Sequence, residues 1–132
     1  MRALDTNVLV RFLMNDDEKM GRAARRLLAE AHERGESLLV VTPVVLELIW
    51  VLKSTYALSR EDILDALGAL AMMPVLQFES ADLVHDLIHH GRSTRLDLPD
   101  LLIALCAKQK NAESTWTFDS RAVRSGLFRS LS

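Results

Sequence analysis

The chain has 132 residues, 49% of them hydrophobic and 26% charged, the size and balance of one ordinary soluble domain rather than of a disordered segment. Sixteen basic residues against eighteen acidic leave a formal net charge of −2. That excludes binding of duplex nucleic acid by bulk positive charge, but not a nucleic-acid enzyme whose positive charge comes from bound cations. A single cysteine, Cys106, excludes an internal disulfide and any multi-cysteine zinc site. Its apolar setting, LLIALCAK, predicts a buried, inert thiol. Asp5 stands where a signal peptide needs an apolar stretch. The run from Ser37 to Leu52 carries Pro43 and Glu47 and is too short and polar to span a bilayer. The expectation is a cytoplasmic protein, folded as a single domain over residues 1–132, with no membrane contact.

Residues 2–5 read as a short strand, and Leu9, Val10, Leu13 and Met14 then recur at helical spacing behind Thr6 or Asn7 as the N-cap. A second helix runs from about Glu18 to Glu33, with Gly35 as its stop. Leu38 to Val41 is a buried strand, and Thr42-Pro43 caps a helix reaching Tyr56. Ser59-Arg60-Glu61-Asp62 has the form of a capping box and opens a helix to Ala71. Val75 to Phe78 is a strand, and Ser80 caps a helix to about His90. Gly91 to Leu96 is a loop, and a helix runs from near Pro99 to Gln109. Thr115 to Phe118 is the last strand, followed by a short helix and a tail. This alternation predicts an α/β fold: a three-layer sandwich with a central, mostly parallel sheet flanked by helices.

In such a fold the active crevice lies beyond the carboxyl ends of the strands. Acids dominate the positions that follow the strands or open the next helices: Asp5, Glu47, Asp97, Asp100 and Asp119. Clustered carboxylates repel unless a cation joins them, and hard oxygen donors select Mg²⁺ or Mn²⁺. Two such ions about 3.5–4 Å apart can serve both the attacking and the leaving oxygen of a phosphodiester. The side chains of Thr6, Asn7 and Thr117 are suited to orienting a carboxylate at that edge. Each acid also has a plainer reading. Asp5 can end a strand, Asp97 can cap a helix, Asp100 can serve the helix dipole, and Asp119 can cap the final helix. Glu47 lies in VVLELIWVL, a segment apolar nearly all round, which predicts a buried glutamate needing a cation or a pair with Arg11 or Lys53. His85 and His89, four apart, read as a solvated helix face rather than a metal pair.

Four segments in order then resemble the PIN-domain ribonucleases: LDTNVLVRFL at 4–13, VTPVVLELIWVL at 41–52, DLPDLLIALCAK at 97–108 and TWTFDSRAVR at 115–124. The length resembles that of VapC toxins of bacterial type II toxin–antitoxin modules. The resemblance implies a Mg²⁺- or Mn²⁺-dependent endoribonuclease cutting tRNA or another structured RNA to leave 5′-phosphate ends. It implies inhibition by a small VapB antitoxin and a homodimer. It implies Asp5, Glu47, Asp100 and Asp119 as catalytic metal-binding acids, Asp97 as an auxiliary ligand, and Asn7 and Thr117 as orienting or substrate-binding groups.

Among the arginines, Arg92 and Arg95 are the best candidates for RNA phosphates, because their loop leads into the Asp97–Asp100 helix. Aromatic residues are only 5%, so shape and phosphate recognition are expected over extensive base stacking. Trp50, Leu64, Leu67 and Met72 are read as either a dimer face or core. The rival to a nuclease is a catalytically silent module of the same fold, its acidic pocket gripping a basic partner segment.

Overall fold

Three short strands, Arg2–Ala3 (β1), Leu38–Val40 (β2) and Leu76–Phe78 (β3), lie side by side in chain order, and both pairings are parallel. Leu38 sits opposite Arg2 on one side and Leu76 on the other. Parallel neighbours need a crossover, and each is made by two helices. Thr6–Met14 (α1) and Glu18–Glu33 (α2) connect β1 to β2, and Thr42–Ser54 (α3) and Arg60–Ala71 (α4) connect β2 to β3. The computed structural model describes residues 1–131. Within them the chain divides into two compact units, Met1–Ala81 and the residues from Asp82 onward.

In the first unit α1 packs on α2 and α3, and α3 on α4. Leu38, Val40, Ile49, Leu52, Leu64 and Leu67 are shut off from solvent; each such side chain contributes about 1.5–3 kcal/mol by leaving water. The caps explain where the helices begin. Ser59 Oγ accepts the Asp62 N–H at 3.1 Å, as the capping-box spacing predicts. Asp17 caps α2 through the Met20 N–H at 2.8 Å. Gly35 follows the last turn of α2 with φ +65, the left-handed conformation that makes it the expected stop. Two caps differ from expectation. Asp5, not Thr6 or Asn7, caps α1, because Thr6 is already helical and its side chain buried. Thr42 likewise opens α3, after Val41, and its N–H donates to Glu79 Oε1 at 2.9 Å.

The second unit contains Ala81–Ser93 (α5, whose first residue closes the first unit), Leu98–Gln109 (α6), Thr115–Thr117 (β4), Ser120–Arg124 (α7) and Phe128–Ser130 (β5). β4 and β5 form a two-stranded parallel sheet, Trp116 opposite Arg129, with the five-residue α7 as crossover. The parallel α/β architecture is therefore as expected, with the strands in two sheets. Helix α5 runs three residues past His90, through the buried Gly91, so the connection to α6 is shorter than predicted. The strand β5 falls in what the sequence reads as a tail. Its three residues carry only one partly buried apolar side chain, Phe128, too little to register as a pattern. His85 and His89 are exposed, as predicted, and Cys106 is half-buried rather than buried. Leu64 and Leu67 are core, whereas Trp50 and Met72 are exposed by 61% and 83%; the four do not form one face. No helix among the described residues is long and apolar enough to cross a membrane.

Candidate active site

In the first unit Asp5 lies just past β1. Its Oδ1 accepts the Thr6 N–H at 2.7 Å, so one carboxylate oxygen anchors α1 while the side chain remains exposed. Asn7, in the first turn, lines a groove of about 340 Å³ with Val8, Arg11, Met20 and Leu27. Glu47 corrects the sequence reading: it is exposed. Helix α3 buries Val44, Val45, Leu48, Ile49 and Leu52 on one face. Its other face carries Glu47 between Leu46 and Trp50, both solvent-exposed. Apolar residues on the wet face disguised that face as core. The alternative to a site role, an ion pair with Arg11 or Lys53, is not found among the described residues. Arg11 donates instead to Asp16 at 3.1 Å, and Lys53 enters no ion pair among the described residues.

The second unit holds a cavity of about 820 Å³. Its acidic lining is Asp97, Asp100 and Asp119, from the α5–α6 connection, the first turn of α6, and the N-terminus of α7. Asp97 occupies the N-cap position of α6 yet its side chain makes no capping hydrogen bond, so its carboxylate is not consumed by the helix. Asp119 does cap: its Oδ1 accepts the Arg121 N–H at 2.9 Å. Its own N–H donates to Thr117 Oγ1 at 3.0 Å, so Thr117 helps fix the turn that presents Asp119. Arg95 lines this cavity and Arg92 does not. Two further arginines, Arg121 and Arg124, line it as well. Sequence reasoning passed over them, although they follow Asp119 and their mutual spacing of three places them on one side of a helical turn.

The profile of the PIN domain matches residues 2–126. The chain belongs to the PIN-domain family. A VapC ribonuclease of Aquifex aeolicus (strain VF5) is 26% identical to this PIN-domain chain over 127 residues, which are 96% of this chain and 93% of that protein. No solved structure matches.

The side-chain donors around the PIN-domain cavity are the carboxylates of Asp97, Asp100 and Asp119 and the hydroxyls of Ser93, Thr94 and Ser125, all oxygen, with no thiolate or imidazole among its lining residues. That chemistry fits a hard divalent cation such as Mg²⁺ or Mn²⁺ and not a soft one. Among the described residues no three acids, histidines or cysteines are gathered closely enough to enclose an ion. The structure thus brings Asp97, Asp100, Asp119 and Arg95 to one cavity. Asp5, Asn7 and Glu47 belong to the other unit.

Proposed function

We propose that this protein is a Mg²⁺- or Mn²⁺-dependent endoribonuclease of the VapC toxin kind, cutting tRNA or another structured RNA. A small VapB-like antitoxin holds it in check in the cytoplasm, and both units act as one PIN domain in a homodimer. The observation that carries the reading is the cavity of the second unit, where three aspartates line one space in a chain that matches the PIN domain. The similarity to a VapC ribonuclease supports the substrate class.

In the second unit Asp100 and Asp119 are assigned as catalytic acids and metal ligands, with Asp97 beside them. In the first unit the same role falls to Asp5 and Glu47. Asn7 and Thr117 orient, and Arg95 meets substrate phosphate, with Arg92 in a weaker supporting role. A bound divalent cation supplies water activation and stabilisation of the charge developing on phosphate oxygens. The protein's own contribution is positional. Thr117 fixes the backbone at Asp119, whose Oδ1 accepts the Arg121 N–H of α7. Asp97, uncommitted as a cap, adds a second acceptor.

The test is cleavage of total tRNA and of a single-stranded RNA pool by antitoxin-free protein in Mn²⁺ or Mg²⁺. Cuts with 5′-phosphate ends are expected, abolished by EDTA and by Asp100→Asn. The silent-module reading draws on the absence of an enclosed three-donor group among the described residues. It requires that neither RNA pool is cut and that calorimetry detects no Mn²⁺ binding.

A further inference from the structure

The cavity of the second unit carries two opposed sets of charge. Asp97, Asp100 and Asp119 line it together with Arg95, Arg121 and Arg124. Arginines sharing a cavity with aspartates ordinarily pair with them, because a bidentate guanidinium–carboxylate bond is among the stronger charge-assisted ones. Here Arg95, Arg121 and Arg124 enter none of the ion pairs found among the described residues. All three are exposed at the cavity. Arg121 and Arg124 are held three residues apart on α7, so they project to one side of it.

The volume bears on what occupies this space. At about 820 Å³ the cavity falls in the range of about 300–1,000 Å³ typical of small-molecule sites, far more than a hydrated ion or two needs. It is too confined for a double helix. Its charge asks for a ligand that meets cations at the carboxylates and is itself anionic at the arginines. A phosphodiester with its counter-cations has both properties.

We propose that Arg95, Arg121 and Arg124 form a phosphate clamp that seats the backbone of an unpaired RNA strand beside Asp97, Asp100 and Asp119. The clamp rests on the ribonuclease reading and narrows it: the cut falls in a single-stranded loop or end of a structured RNA, not within a duplex. The planar guanidinium fork grips two phosphate oxygens at once, and phosphate binding sets register without reading sequence. These arginines are positioning residues for the reaction.

The experiment titrates a short fluorescein-labelled single-stranded RNA, with EDTA present, against full-length Asp100→Asn protein, so that the probe survives. Salt is varied and thermal melts confirm the fold of every variant. Arg121→Gln with Arg124→Gln is expected to weaken binding about tenfold or more. The slope of log affinity against log salt is expected to become shallower by about 0.7 for each phosphate that is no longer neutralised. Arg95→Gln is expected to shift the slope in the same direction, while the lysine pair at 121 and 124 keeps the slope and loses affinity. Arg22→Gln, whose guanidinium is engaged with Glu18 on α2, leaves both unchanged. An unlabelled duplex of the same sequence competes poorly.

An unaltered slope in the glutamine pair, a parent protein that binds no RNA, or a duplex that competes as well as the single strand overturns the clamp. EDTA-sensitive cleavage by the native protein that survives in the arginine variants leaves the nuclease standing and removes the clamp. Salt-sensitive, arginine-dependent binding without any metal-dependent cleavage does the reverse.

Discussion

The two units solve the problem of parallel strands at different cost. The first spends two helices on each crossover, and of the twelve largest fully buried side chains ten lie there, including Leu38, Leu48, Ile49 and Leu64. The second joins β4 to β5 by five residues of helix, leaving Trp116 exposed on the strand and Phe118 just beyond it. Stability resides where apolar area is buried, whereas the proposed chemistry draws on charge left exposed or half-buried, Asp5 and Glu47 in the first unit and the cavity aspartates in the second. The first unit is therefore the scaffold-rich one, and the second holds the cavity. Substitutions should separate the two.

The largest effect on stability is expected from Ile49→Ala or Leu64→Ala, each fully buried in the first unit. Either should lower the unfolding free energy by about 2–5 kcal/mol, read by urea denaturation. Asp97→Asn, at the cavity, should stay within about 0.5 kcal/mol in the same assay. A cavity substitution that costs as much as the core ones would abolish the contrast.

Asp119 sharpens it further, because this residue is both cap and proposed catalytic acid. Asparagine caps nearly as well as aspartate, so Asp119→Asn should hold stability while cleavage falls by about a hundredfold or more. Asp119→Ala should lose about 1 kcal/mol of stability in addition. Equal melting curves for the two variants would show that the cap at Asp119 does not contribute. Ser59→Ala, a cap with no proposed chemistry, should cost about 0.5–2 kcal/mol and leave cleavage unchanged.

The smallest effect concerns pH. The Tyr56 hydroxyl donates to Asp16 Oδ2 at 2.8 Å and, more than Arg11, holds the Asp16 carboxyl below its ordinary value. A depressed folded value means the contribution is present above the unfolded value and is lost as pH falls through the folded one. Tyr56→Phe should therefore raise the Asp16 titration midpoint, followed by carboxyl NMR. An unmoved midpoint would show that the hydroxyl is not its principal partner.

How much of this was legible in the sequence depended on whether a local rule or a tertiary neighbour decided the outcome. Helix α2 and the cap at Ser59 followed local spacing and were read with their bounds. The aspartates at 97, 100 and 119 were legible as helix-opening positions, and the structure lines one cavity with them. Gly91 reads from the sequence as the start of a loop, but it is buried within α5 and the helix continues through it. Glu47 was misjudged because Leu46 and Trp50 present apolar groups to water, and a hydrophobicity pattern has no means of marking which face is covered. Arg121 and Arg124 were overlooked because charge at a helix surface is usually only solvated; a cavity gives them a destination, and a cavity is not written in spacing.

The crossover between β4 and β5 has a mechanical consequence. A five-residue helix has no stability of its own, so Asp119, Arg121 and Arg124 keep their places only while both flanking strands are docked. Thr117, which steadies Asp119, lies opposite Ser130, and the Leu131 N–H donates to the Thr117 carbonyl at 3.0 Å. The last strand is thus a latch on the cavity. Tension applied just beyond Leu131, as by a surface tether or a bulky fusion, would be transmitted as a displacement of charge rather than as loss of the scaffold.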